Sequence, residues 1–102
     1  MFRKNNKING IFSVNEIYAG AALRVLKRLN ISVPEQVGII CFTDGLISRY
    51  SSPTLTTVKQ HGEEIGKVAA SKLIDRLEKE EDNEIPFREY VIKTTLIERE
   101  ST

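Results

Sequence analysis

One hundred and two residues suffice for one small domain, and a composition of 40% hydrophobic against 28% charged residues describes a chain that folds. Fifteen Lys and Arg against fourteen Asp and Glu leave a formal net charge of +1, which gives no electrostatic footprint for nucleic acid and argues against DNA binding by this chain itself. One cysteine excludes an internal disulfide framework and a Cys-based zinc cluster, and one histidine, His61, argues against a His-rich metal site.

No apolar run approaches the roughly 20 residues needed to cross a bilayer. The basic start Met1–Lys7 is not followed by a long apolar segment, so no secretory signal is expected and the chain is expected to be cytoplasmic. Ile8–Val14 reads as a short buried strand. A helix is predicted over Glu16–Leu29, with Ile17, Ala21, Val25 and Leu29 at helical spacing and Ala22 and Leu26 widening the stripe. Ser13 and Glu16 have capping-box spacing, Asn15 is an alternative cap, and Asn30 is a stop residue. Pro34 predicts an extended connection through Ile31–Pro34. Val37–Phe42 is apolar on both faces, as a central parallel strand is, and Thr43-Asp44-Gly45 ends it with a turn signal. Leu46–Ser52 is read as a short helix or an irregular loop. Leu55–Val58 is a β-branched strand. Glu63–Lys79 is the strongest helix, with Ile65, Val68, Ala69, Leu73 and Leu77 on its apolar face and Glu63 and Glu64 favouring its first turn. Glu80–Glu84 reads as a solvated acidic loop. Tyr90–Leu96 reads as a last strand, and the polar tail Glu98–Thr102 is expected to fray. The order β-α-β-turn-β-α-β predicts an α/β domain with a mostly parallel sheet flanked by helices.

In open α/β sheets ligands bind beyond the carboxyl ends of the strands. Two predicted strand ends carry suitable groups, Ser13-Val14-Asn15 and Thr43-Asp44-Gly45. An amide offers a donor and an acceptor, and a carboxylate accepts twice, which suits a polyhydroxylated ligand. The plainer roles are a helix cap for Asn15 and a turn for Asp44 and Gly45. Cys41 lies in an apolar strand with no adjacent base, so it reads as a small core residue, and no catalytic residue is assigned. Gly10, Gly20 and Gly38 form no phosphate loop, and no cofactor is expected.

The stretch from Phe12 to Gln60 resembles the C-terminal sensor region of LacI/GalR-type transcriptional regulators. Pro34-Glu35-Gln36-Val37 is similar to their Val-Pro-Glu-Asp-Val link. Ser52-Pro53-Thr54-Leu55-Thr56-Thr57-Val58-Lys59-Gln60 is similar to their Pro-Pro-Leu-Thr-Thr-Val-Gln segment, and Leu96–Ser101 is similar to their usual ending. The ordered set covers about nine-tenths of the chain. The resemblance implies part of a periplasmic-binding-protein-like lobe: residues 7–60 as the lobe core, 61–80 as a helix returning to the other lobe, and 88–98 as the last strand and tail. It implies a small sugar-like effector as partner, a homodimer, and DNA contact only through an upstream domain that this chain lacks. Position by position, it assigns ligand contact to Asn15, Thr43, Asp44 and Gln60. Thr43 stands where the family commonly has the first of two Asp residues, Cys41 where it has Gly, and Glu16 where it has Asp. A dimer surface is implied for Ala19, Leu23, Arg49, Tyr50 and Ser51. Two other readings are a fragment of a transport-type sugar-binding protein, disfavoured by Leu96–Ser101, and a stand-alone flavodoxin-like module, for which no phosphate loop or nucleophile is found.

Overall fold

The computed structural model describes residues 7–78 and 88–102. They fall into two compact units, one running to Gln60 and resuming at Thr95–Thr102, the other His61–Thr94. The first unit opens with β1 (Gly10–Ser13), which leads into α1 (Glu16–Arg28). Asn15 has extended backbone and its side-chain oxygen accepts the Tyr18 amide at 2.9 Å, so it is the N-cap. The helix stops where Asn30 enters left-handed backbone at φ 57°. Asn30 N–H then donates to Lys27 O and Ile31 N–H to Leu26 O, at 3.1 and 2.9 Å. This is a Schellman closure, completed by Ile31 packing on the same core as Leu26.

β2 (Gly38–Phe42), α2 (Leu46–Tyr50) and β3 (Thr56–Lys59) follow, and β4 (Thr95–Ile97) completes a sheet of order β1-β2-β3-β4. β1, β2 and β3 are parallel, and β4 runs antiparallel to β3 at the edge. The mostly parallel sheet expected from sequence is present, but the last strand is much shorter than Tyr90–Leu96: residues 90–94 stand outside any strand. The acidic stretch Glu80–Glu84 lies outside the described residues.

The core is Ala19, Leu26, Val37, Ile39, Cys41 and Leu55, with Ile11, Ala22, Leu23, Ile31 and Val33 packed against it. The buried stripe of α1 is therefore Ala19, Ala22, Leu23 and Leu26. Of the predicted stripe, Ala22 and Leu26 face the core, while Ile17 and Val25 are 67% and 51% exposed. Both faces of α1 are apolar, so periodicity did not choose between them. The small Ala19 permits close approach to the sheet, and the Ile31 closure fixes the helix rotation. On the opposite sheet face Phe12 and Leu96 are exposed and Phe12 and Phe42 meet with ring centroids 6.5 Å apart.

The tail does not fray. Ser101 is fully buried; its Oγ donates to Ile39 O at 2.6 Å and accepts the Thr56 amide at 2.8 Å. Its backbone joins β2 to the segment before β3, with Ile39 N–H donating to Ser101 O and Ser101 N–H to Thr54 O. Fraying is what a polar tail predicts locally, because its partners, at the amino ends of β2 and β3, lie far away in sequence.

The second unit is built on α3 (Gly62–Glu78). His61 directly precedes it and its carbonyl accepts the Ile65 amide. Glu63 and Lys67 pair at 3.1 Å, and the Lys72 ammonium sits 4.8 Å from the Tyr90 ring centroid. Ile65, Leu73 and Leu77 on its apolar face are all exposed.

Candidate ligand-binding rim

The register fixes which residues share the carboxyl edge of the parallel strands. Ser13 pairs with Cys41 and Cys41 with Thr57, forming one row across three strands. Counting onward from that row, Asn15, Thr43 and Lys59 stand level, and Gln60 follows one step later. Asn15, Thr43 and Gln60 thus leave neighbouring strands at one edge. Each has intermediate exposure.

The side chains differ in what they leave available. The Asn15 oxygen is taken by the Tyr18 amide, while Ser13 Oγ donates to Asn15 O at 2.7 Å. The cap leaves the Asn15 side-chain nitrogen for another partner. Thr43 has φ 98°, a backbone state rarely adopted by a β-branched residue. Its amide is held by Val58 O at 3.1 Å.

Asp44 is engaged within the fold. Its side chain is 2% exposed. Oδ1 accepts from Arg99 Nη2 at 2.7 Å and from Thr57 Oγ1 at 2.9 Å, and Oδ2 from Arg49 Nη2 at 3.2 Å. Burial pushes this carboxyl up, but the hydrogen bonds from Arg99, Thr57 and Arg49 and the Arg99 charge outweigh burial and hold it below the usual carboxylate range. The sequence expectation was that Asp44 grips a ligand; in the structure two guanidinium groups and a hydroxyl already occupy its carboxylate. Arg99 was missed in the sequence because only the tertiary fold brings it to Asp44. Burial also pushes the Cys41 thiol up, consistent with a core residue.

Glu16 has a role that its sequence position did not show. Its carboxylate accepts the Ser48 amide at 3.2 Å and the Ser48 hydroxyl at 3.0 Å. α2 begins after Gly45, which has no capping side chain. Glu16 of α1 therefore satisfies a first-turn amide of α2 from across the fold. Of the residues assigned to a dimer surface, Ala19 is fully buried in its own core and Leu23 packs against that core, so Ala19 presents nothing to a partner. Arg49 and Tyr50 are exposed, Tyr50 at 81%, and Ser51 is half-buried. Among the described residues no cluster of three metal-binding side chains occurs, and no helix is long and apolar enough to cross a membrane.

Residues 3–102 match the family model described as periplasmic binding protein-like domain. The chain belongs to that family. Within it, the chain is of the kind found in LacI-type transcriptional regulators. It is 36% identical over 98 residues, 96% of its length, to the HTH-type transcriptional regulator RegA of Clostridium saccharobutylicum. It is 33% identical over 94 residues, 92% of its length, to the HTH-type transcriptional regulator CelR of Thermobifida fusca. It spans only 29% and 27% of those two relatives. A solved complex of the transcriptional regulator CelR with cellobiose superposes with TM-score 0.88 at 31% identity, over 99% of this chain and 30% of the other. A LacI family regulator from Enterococcus faecalis with bound ribose superposes with TM-score 0.83 at 30% identity, over 98% of this chain and 36% of the other.

Proposed function

We propose that this chain is the effector-sensing portion of a LacI-type transcriptional regulator, with a small sugar-like ligand bound at the rim of β1, β2 and β3. The observation that carries the reading is the strand register, which sets Ser13, Cys41 and Thr57 in one row, two or three residues before Asn15, Thr43 and Gln60, in a chain of this family. An amide nitrogen, a hydroxyl and a second amide supply donors and acceptors together, as sugar hydroxyls require. Relatives solved with cellobiose and ribose support the ligand class.

The mechanism is a population shift: a ligand that binds one arrangement of the sensor better than another biases a DNA-binding domain outside this chain. DNA contact belongs to that domain, since this chain has a net charge of only +1. A homodimer is the assembly proposed, with Arg49, Tyr50 and Ser51 at its surface, and the cytoplasm is its place. No catalytic role is assigned: the relatives are regulators, and the single thiol, Cys41, is buried with its pKa raised.

Calorimetric titration of the 102-residue chain with cellobiose, D-ribose and lactose tests the reading. Saturable binding of at least one sugar, weakened by Asn15→Ser, is the expected result. Binding that ignores changes at Asn15, Thr43 and Gln60 places the ligand elsewhere. No binding by any of the three removes the chain as a self-sufficient sugar site.

A further inference from the structure

The conformation of Thr43 needs an explanation. A β-branched residue at φ 98° is held there only when its surroundings over-determine it. One restraint is the Thr43 amide on Val58 O. The other is the next residue, Asp44, whose carboxylate is fixed by Arg99, Thr57 and Arg49. Of these three, Arg99 makes the shortest contact and is the one that ties several segments together. Its Nη1 also donates to Leu55 O at 2.8 Å and to Thr57 Oγ1 at 3.2 Å. Its own backbone amide is pinned to Thr56 Oγ1 at 2.9 Å. A planar guanidinium reaches these acceptors at once; an ammonium is a point charge and does not reproduce the fork.

We propose that Arg99 is the positioning residue of the rim: by holding Asp44 it fixes Thr43 in its unusual backbone state and keeps the neighbouring carboxylate turned away from a ligand at the end of β2. This rests on the sensor reading of the rim. It goes further in naming a tail residue as what sets the rim's chemistry. Loss of the Arg99 fork frees the Asp44 carboxylate and changes both the shape and the charge of the rim.

Amide hydrogen exchange by NMR on the 102-residue chain tests the positioning without any ligand. In Arg99→Lys the Thr43 amide is expected to exchange at least about tenfold faster, while the Ile39 and Cys41 amides of β2 keep their wild-type rates. Asp44→Asn, with Arg99 intact, is expected to give the same local pattern, and the double variant no further acceleration. Unchanged exchange at Thr43 overturns the proposal. A uniform acceleration across β2 overturns it too, because Arg99 then serves overall stability only. If Arg99→Lys fails to fold, Asp44→Asn is judged by the same two criteria.

Titration with cellobiose and D-ribose separates this inference from the reading beneath it. Sugar binding that is weakened in both single variants supports the proposal. Sugar binding of wild-type strength in both removes the role of Arg99 and leaves the sensor reading intact. Absence of sugar binding in the wild type removes the chain as a self-sufficient sugar site, and with it the ligand part of the proposal.

Discussion

The Asn15 side chain commits its oxygen to the Tyr18 amide, and its nitrogen takes no part in the cap, so substitutions there act through two separable routes. Asn15→Ala removes both and is expected to cost about 1 kcal/mol of stability through the lost cap. Asn15→Ser keeps an oxygen for the cap and removes the amide nitrogen. Urea unfolding should therefore rank Ala well below Ser, while sugar titration should rank them alike. A Ser variant that binds as wild type would reduce Asn15 to a cap. At Asp44 the prediction is one of pH. Its folded carboxyl lies below the ordinary value of 3.8. A depressed carboxyl contributes stability above its unfolded pKa, and that contribution is lost as pH falls through the folded value. Urea midpoints should fall in the window beneath about pH 4 in the wild type, and this limb should be shallower in Asp44→Asn. Glu100, also lowered by hydrogen bonds from Thr54, moves in the same direction, but it is fully exposed and its share is screened. Equal acid limbs in wild type and Asp44→Asn would show that the Arg99 and Arg49 contacts do not favour the ionised form.

Among the elements, α2 shows how much of its stability comes from outside its own sequence. Five residues make a helix too short to hold itself. The Glu16 carboxylate from α1 supplies the acceptor for the Ser48 amide, and Gly20 of α1 lies where an added Cβ would be 3.4 Å from Ile47. Gly45 is next to that carboxylate: a Cβ there would collide with the Glu16 carboxylate group. Gly45→Ala is therefore expected to displace Glu16 and uncap α2, at about 1 kcal/mol by the usual worth of a cap. Denaturant unfolding measures the loss, and Glu16→Gln should reduce the penalty of the second change when both are combined. The parallel strands and the Asn15–Asn30 limits of α1 were legible because turn and cap residues are local signals. The rotation of α1 was not legible, because Ile17 and Val25 repeat as regularly as Ala19 and Leu26. The order of the tail was not legible either. Ser101 and Arg99 look like solvated polar residues until Ile39, Thr56 and Asp44 are placed beside them. The same limit holds at the rim: sequence identified the Thr43–Asp44 position but did not show that Arg99, Thr57 and Arg49 bond to Asp44.

At the scale of the molecule, what remains exposed decides how the chain behaves in solution. The outer face of α1 carries Ile17, Tyr18 and Val25, and α2 adds Leu46 and Tyr50, all more than half exposed. Scattered apolar residues on a surface need no partner, but neighbouring ones on two packed helices form a patch. The patch holds two tyrosines, whose apolar body and polar tip suit a self-complementary interface. In a twofold assembly each copy contributes the same patch, so one substitution acts twice. Tyr50→Asp would place two like charges against apolar partners at once. Equilibrium sedimentation of the wild-type chain is expected to report a dimer in the micromolar range, and Tyr50→Asp a monomer with unchanged secondary structure by circular dichroism. Phe12→Asp, on the open face of the sheet, is the control: it should leave the mass at that of the dimer. If Phe12→Asp dissociates the chain and Tyr50→Asp does not, the copies meet through the sheet face, and the surface assigned to Arg49, Tyr50 and Ser51 is free.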